Sequence, residues 1–264
     1  LRAHARREGW TVRRFPRRNR VRSLDVVRTL ATFGSVLPMI GAALPFRLLG
    51  APDREVINFS VSLWAELATF ISGLELTVEH EYRLWTQRPA VFLFNHQSAM
   101  DVLITARLLR EDMVGVAKRE IRRQPLMGPA LMSVGTVFID REAGGDPRAV
   151  LQPAVEALEQ GRSVVIAPEG TRSRDGRLGP FRKGAFHLAM QAGVPIVPIV
   201  IHNAMDALAG SGRVVRPAQV KVTVLDPIST EGWNVRAVVR AARDTRRAYL
   251  EVLGPGADGA SATP

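Results

Sequence analysis

The sequence predicts an α/β fold: a mixed, largely parallel sheet flanked by helices, with a two-helix hairpin in front of it. Three observations carry this. From about Gln87 onward, short apolar runs alternate with amphipathic stretches of helical period, as strands and crossover helices do. Before that point lie two longer apolar segments joined by the turn-forming stretch Leu48–Pro52. Polar clusters follow several apolar runs directly, and loops just beyond strand carboxyl ends are where such sheets place their sites. The chain of 264 residues suits one globular domain with an appendage.

The front of the chain is strongly basic. Residues 1–28 carry ten Arg against Glu8 and Asp25, a balance of +8, which leaves +3 of the net +11 for everything that follows. Such an arm suits either nucleic acid or anionic lipid, or stays solvated. The uncharged run Thr29–Phe46 behind it favours lipid and a membrane-associated reading, with the positive flank on the cytoplasmic side of the cell membrane. As one helix this run spans about 27 Å, barely the roughly 30 Å of a hydrocarbon core. Pro38, Pro45, Gly34 and Gly41 interrupt it. A second segment places Val56, Phe59, Leu63, Leu67, Phe70, Ile71 and Leu74 at helical spacing. The pair is expected to dip into one leaflet, with packing on the main domain or a single spanning helix as alternatives. No cleavage site precedes Arg47, so a signal peptide is not expected. The chain starts at Leu1, which leaves room for a preceding domain. The expected organisation is a basic arm over residues 1–28, a membrane-associated hairpin over 29–77, a catalytic domain over 78–253 and a disordered tail over 254–264.

Within the main domain, Ala90–Phe94, Met113–Ala117, Thr136–Ile139, Ser163–Ala167, Ile196–Val200 and Val220–Leu225 read as strands. Val102–Leu109, Pro147–Glu159, Gly184–Ala192 and Asn234–Val252 read as helices.

Four clusters carry chemistry. Asn95-His96-Gln97-Ser98-Ala99-Met100-Asp101 follows the first of those strands. Five residues on one helix separate side chains by about 140°, so His96 and Asp101 meet only with His96 in the turn and Asp101 in the first helical turn. Ser98 then reads as the N-cap. A carboxylate so placed fixes the imidazole tautomer and supports the imidazolium; a capping histidine or a surface ion pair is the alternative. In Gly135–Arg141, a strand ends in Arg141, which suits a bidentate phosphate grip or an ion pair with Asp140 or Glu142. In Pro168-Glu169-Gly170-Thr171-Arg172-Ser173 the amides, hydroxyls and Arg172 suggest an anion-binding concavity. Glu169 is costly there unless it pairs with a cation or accepts a substrate hydroxyl. Last, the strand Val194–Val200 carries two prolines, and Pro198 predicts an edge, bulge or bend.

Taken together and in this order, these blocks resemble the glycerophospholipid acyltransferase family over residues 78 to 230. The matching stretches are NHxxxxD at Asn95–Asp101, GxxFIDR at Gly135–Arg141, PEGTRS at Pro168–Ser173 and VPIVPIVI at Val194–Ile201. The resemblance implies that His96 is the general base on an acceptor hydroxyl, oriented by Asp101. It implies Arg141 and Arg172 on the acceptor phosphate, Glu169, Gly170 and Thr171 shaping the glycerol and phosphate pocket, and Lys118 near the phosphate by a looser match. It also implies an acyl-CoA or acyl carrier protein donor, lysophosphatidic acid as acceptor and phosphatidic acid as product, in phospholipid biosynthesis. Ala167 stands where the family commonly has Phe or Val.

Other classes fit less well. The absence of cysteine excludes disulfides, thiolate metal sites and a cysteine nucleophile. No cofactor is required, no His/Asp spacing closes a metal site, and His187 and His202 read as structural. Glycerol 3-phosphate or another lysophospholipid is the alternative acceptor, thioester hydrolysis the lesser rival reaction. A non-catalytic basic module on membrane or nucleic acid leaves the His96/Asp101 pair unexplained, and nucleic acid is not expected as a partner. Amides of the His96 or Gly170 turn are the expected oxyanion donors.

Overall fold

The computed structural model describes residues 21–125, 127–139, 147–209 and 212–259. Seven strands form one sheet in the order β1-β7-β6-β2-β5-β3-β4. They are β1 (Leu74–Glu79), β2 (Val91–Phe94), β3 (Met113–Lys118), β4 (Val137–Ile139), β5 (Ser163–Ile166), β6 (Ile196–Ile201) and β7 (Ala218–Val224). Every pairing is parallel except that of β6 with β7. The mixed, mostly parallel sheet flanked by helices therefore forms as expected.

All four residues of β2, all four of β5 and all six of β6 are buried, as the uninterrupted apolar runs of a sheet covered on both faces require. Alternation then sorts their side chains. Phe92 and Phe94 pack with α3 (Asp53–Ser72) and α5 (Met100–Leu109), while Val91 and Leu93 pack with α7 (Pro147–Glu159), α8 (Gly184–Ala192) and α9 (Val235–Leu253). In the other direction, β2, β3, β5 and β6 all point their carboxyl ends toward one rim of the sheet. The polar clusters lie on that rim.

In front, α1 (Ser23–Gly34) and α2 (Val36–Leu48) precede α3, with α4 (Arg83–Thr86) and α6 (Met127–Ser133) as short helices further on. Helix α1 starts inside the expected basic arm, where the Asp25 carboxylate accepts the Arg22 N–H at 3.1 Å. Residues 1–20 lie outside the described residues. Among the described residues no helix is long and apolar enough to cross a membrane. Helix α3 buries Val61, Ala65 and Ala68 against the core, so the hairpin packs on the main domain along one face.

Two expected boundaries need correction. The helical reading through Leu74 stops at Gly73, whose φ of 67° caps α3 and turns the chain into β1, paired along its length with β7. The boundary at 77/78 thus falls inside a strand. The tail expected to be disordered is ordered over its first residues: Ala257 and Gly259 hydrogen-bond the backbone of Leu178, at 2.7 and 3.1 Å. Pro198 sits on an interior strand. Its carbonyl still accepts from Leu225 at 2.9 Å, and the β6–β7 ladder begins only at Ile199, so no donor is missed there.

Candidate active site

Strand β2 delivers the first cluster to the rim, and backbone pairing hands over to side chains there. The Asn95 amide accepts from Ile201 N and donates to Ile201 O, both at 2.8 Å, extending the β2–β6 ladder by one residue. Gln97 also donates to Ile201 O at 2.6 Å, and Ser98 donates to Leu208 O at 2.7 Å. The turn is thereby tied to β6 and to the loop beyond it. Ala99, not Ser98, is the N-cap of α5, although the Ser98 hydroxyl accepts the Met100 N–H at 3.1 Å.

Asp101 stands in the first turn of α5, fully buried. Its Oδ2 lies 2.9 Å from His96 Nδ1 and accepts the N–H groups of Gln97 and Ser98, each at 2.7 Å. Burial pushes the Asp101 carboxyl upward, while His96 and the two amides favour its charged form. With Nδ1–H donated to Asp101, the proton-accepting position on His96 is Nε2. The His96 side chain is 24% exposed, so the ring reaches solvent.

Glu169, from the turn after β5, is only 6% exposed and braces the same residue from the other side. Its Oε1 accepts the His96 N–H at 2.7 Å and its Oε2 accepts the Gly179 N–H at 2.9 Å. His96 O in turn accepts the Ser173 N–H at 2.8 Å. The two polar turns are therefore one unit. Burial pushes the Glu169 carboxyl upward, opposed by those two amides. The cost foreseen for Glu169 is met by these two backbone donors.

The same inventory narrows the oxyanion expectation to the remaining amides of the Gly170 turn, such as those of Thr171 and Arg172. The amides of His96, Gln97, Ser98, Gly170 and Ser173 are taken by Glu169, Asp101, Asp101, Ala167 O and His96 O.

Thr171 and Arg172 are exposed beyond Glu169, and a cleft of about 420 Å³ opens there, lined by Glu169, Thr171, Arg174, Arg177 and Arg182 among others. Its cationic wall suits an anionic headgroup. A second cleft, of about 580 Å³, is lined by Glu66, Glu81 and Glu111 with Trp85 and Arg110, away from His96, and its carboxylates disfavour an anion. Lys118 ends β3 on the catalytic rim, exposed and paired in register with Ile139. Arg141, two residues after Ile139, lies outside the described residues. Among the described residues no cluster of His, Asp or Glu is arranged to hold a metal ion.

Known proteins resemble this chain in sequence and in fold. A family model described as Acyltransferase matches residues 75–202. The chain is 36% identical over 215 residues to the 1-acyl-sn-glycerol-3-phosphate acyltransferase alpha of Mus musculus, covering 80% of this chain and 75% of the mouse protein. The human protein of the same name is 36% identical over 80% of this chain and 76% of its own length. The chain belongs to the 1-acyl-sn-glycerol-3-phosphate acyltransferase family. Its fold matches the crystal structure of the 1-acyl-sn-glycerophosphate acyltransferase PlsC from Thermotoga maritima at a TM-score of 0.70 and 21% identity, over 88% of this chain and 97% of that one.

Within this acyltransferase, three residues that support the turn escape a reading of the sequence. Asn95 was visible only as part of a block; its role needs Ile201, 106 positions away. At Gly179 an added Cβ would lie 3.3 Å from Glu169 Oε2, so a side chain there crowds the carboxylate that the Gly179 amide holds. Tyr249 is fully buried on α9, and its hydroxyl donates to Leu93 O at 2.8 Å and accepts from Ile199 N at 3.1 Å. It replaces the ladder bond that the β2–β6 register would otherwise form directly, one step before the strand reaches Asn95. The only signal was a lone tyrosine on the apolar stripe of a basic helix.

Proposed function

We propose that the protein transfers a fatty acyl group from a thioester, acyl-CoA or acyl carrier protein, to the free hydroxyl of 1-acylglycerol 3-phosphate, giving phosphatidic acid. The observation that carries this reading is the buried Asp101 carboxylate at 2.9 Å from His96 Nδ1. It leaves Nε2 as the base, and Glu169, which holds the His96 backbone, also lines the arginine-walled cleft. His96 Nε2 takes the acceptor proton as the acceptor oxygen attacks the thioester carbonyl. The tetrahedral intermediate then expels the thiolate, and the imidazolium, stabilised by Asp101, supplies its proton. General-base assistance of this kind contributes about 10²–10⁴-fold. Holding donor and acceptor in register adds to it. Arg172 and Lys118 on the rim support a phosphate-bearing acceptor, as does Arg141 by its place in the sequence, and Gly170 and Thr171 shape the approach to it.

The reading includes an anionic membrane surface at the cytoplasmic face of the cell membrane. Leu48, Leu49 and Phe70 are 78%, 84% and 85% exposed, and Leu24, Val27 and Leu30 on α1 are also exposed. Apolar side chains gathered on adjoining helices in this way favour an interface plane.

A thiol-release assay with acyl-CoA and acyl carrier protein donors tests the assignment against lysophosphatidic acid, glycerol 3-phosphate and an uncharged monoacylglycerol. Lysophosphatidic acid is expected to give the highest kcat/KM. A preference for the uncharged acceptor, or release of free fatty acid as the main product, would refute it.

A further inference from the structure

The order found in residues 254–259 was not expected, and it connects to the catalytic turn. Arg246, on α9 and 17% exposed at its side chain, donates from Nε to Gly179 O at 2.9 Å and from one Nη to Leu178 O at 3.1 Å. The same Nη pairs with the Asp258 carboxylate. Leu178 is held again from the tail, donating to Ala257 O at 2.7 Å and accepting from Gly259 N at 3.1 Å. Its side chain is buried against Val200 and Tyr249. Gly259 itself lines the 420 Å³ cleft.

We propose that Arg246, together with residues 257–259 beyond α9, positions the catalytic turn by fixing Leu178–Gly179, whose amide braces Glu169 and through it the backbone of His96. This rests on the reading of His96 as the base. The path is short: Gly179 receives the guanidinium on its carbonyl and presents its own N–H to Glu169 Oε2 at 2.9 Å, and Glu169 Oε1 receives His96 N–H at 2.7 Å. A planar guanidinium serves two successive carbonyls and a carboxylate at once, a geometry that lysine cannot reproduce in full. Without it the carbonyls of Leu178 and Gly179 lose a charged donor and the segment loosens. Glu169 then loses one of the two amides that hold it ionised.

That loss has a signature apart from instability. The groups around the Glu169 carboxyl are His96, Asp101, Arg182 with its Nε on the Glu169 carbonyl, and the Tyr249 hydroxyl, with Arg174, Asp175 and Arg177 on the same cleft. Burial already pushes this carboxyl upward, and removing the Gly179 amide pushes it further. A protonated Glu169 holds the His96 backbone poorly, so the acid limb of the kcat–pH profile moves to higher pH.

The test uses the full chain and Arg246→Ala, Arg246→Lys and Asp258→Ala, assayed for acyl transfer between pH 5 and 9, with hydrogen exchange at single amides. Arg246→Ala is expected to lower kcat about 10–100-fold with both KM values little changed, and to raise the acid limb. Exchange should quicken at Gly179 and His96 while Val197 in β6 stays protected. Arg246→Lys recovers part of the rate, and Asp258→Ala shows the same changes to a smaller degree. A folded Arg246→Ala with unchanged kcat, or with an unmoved acid limb and unchanged exchange at Gly179 and His96, overturns the proposal. Should Arg246→Ala not fold, Asp258→Ala decides by the same criteria. Exchange reads the brace even if the wild type fails to transfer acyl groups, an outcome that would sink the functional reading alone.

Discussion

One carboxylate oxygen, Asp101 Oδ2, accepts from His96 Nδ1 and from two consecutive amides, while Oδ1 is buried with no hydrogen-bond partner among the described residues. The three donors oppose the desolvation of the carboxylate and hold the imidazole ring in place. An asparagine there presents either an oxygen or an NH₂ to Nδ1, and the NH₂ orientation favours the tautomer with its proton on Nε2. Asp101→Asn is therefore expected to lower kcat by about 10²-fold or more with little change in acceptor KM. Steady-state thiol release checks this, and a loss under twofold would contradict the orienting role. At this scale the sequence was informative where partners are near in the chain. Five residues separate His96 from Asp101, and the strand–turn–helix requirement followed from helical geometry alone. The Glu169 brace was not legible, because one donor, His96, is 73 positions away and the other, Gly179, lies ten residues on across an irregular loop that no periodicity describes.

Elements were legible where periodicity and punctuation agree. The readings of α7 and α8 match their observed bounds, since each lies between clear breaks and has one apolar face. Strand β1 was hidden because Leu74 extends the i, i+3, i+4 pattern of α3, although Leu74, Leu76 and Val78 also alternate after Gly73. The β1–β7–β6 end of the sheet carries a second half-buried histidine. His202 Nε2 lies 2.9 Å from Thr223 Oγ1, which donates to Glu79 Oε2 at 2.8 Å, and Lys221 pairs with Glu79 at 2.7 Å. Burial, then Lys221, lowers His202 to about 4 from 6.5, with Glu79 opposing. The folded state thus binds this proton less readily than the unfolded one. Its contribution to stability is complete above about pH 6.5 and is lost as pH falls toward 4. Discounted for partial exposure, the loss is about 1–2 kcal/mol. His202→Gln keeps a donor to Thr223 and does not titrate. Urea midpoints between pH 7 and 4.5 should fall more steeply in the wild type, and parallel curves would contradict the assignment.

For the molecule as a whole, helix–strand alternation foretold the layers but not the order β1-β7-β6-β2-β5-β3-β4. Strand order depends on contacts between distant segments, such as β1 with β7, that no local pattern records. The front of the chain was read as interfacial or packed, and α3 combines the two features: Ala65 and Ala68 are buried, while Phe59, Leu63, Leu67 and Phe70 are exposed. If this face lies in a membrane interface, Leu49→Ser with Phe70→Ser should lower sedimentation with anionic vesicles several-fold at unchanged melting temperature. Equal sedimentation would remove the interfacial reading and leave the active-site account standing.

That account depends on an imidazole acting as base on the acceptor hydroxyl, and His96→Ala tests it most directly. Circular dichroism and melting temperature would first establish that the variant is folded. Its kcat for acyl transfer to lysophosphatidic acid is expected to fall by about 10²–10⁴-fold or below detection. Turnover within a few-fold of wild type in the folded variant would contradict it.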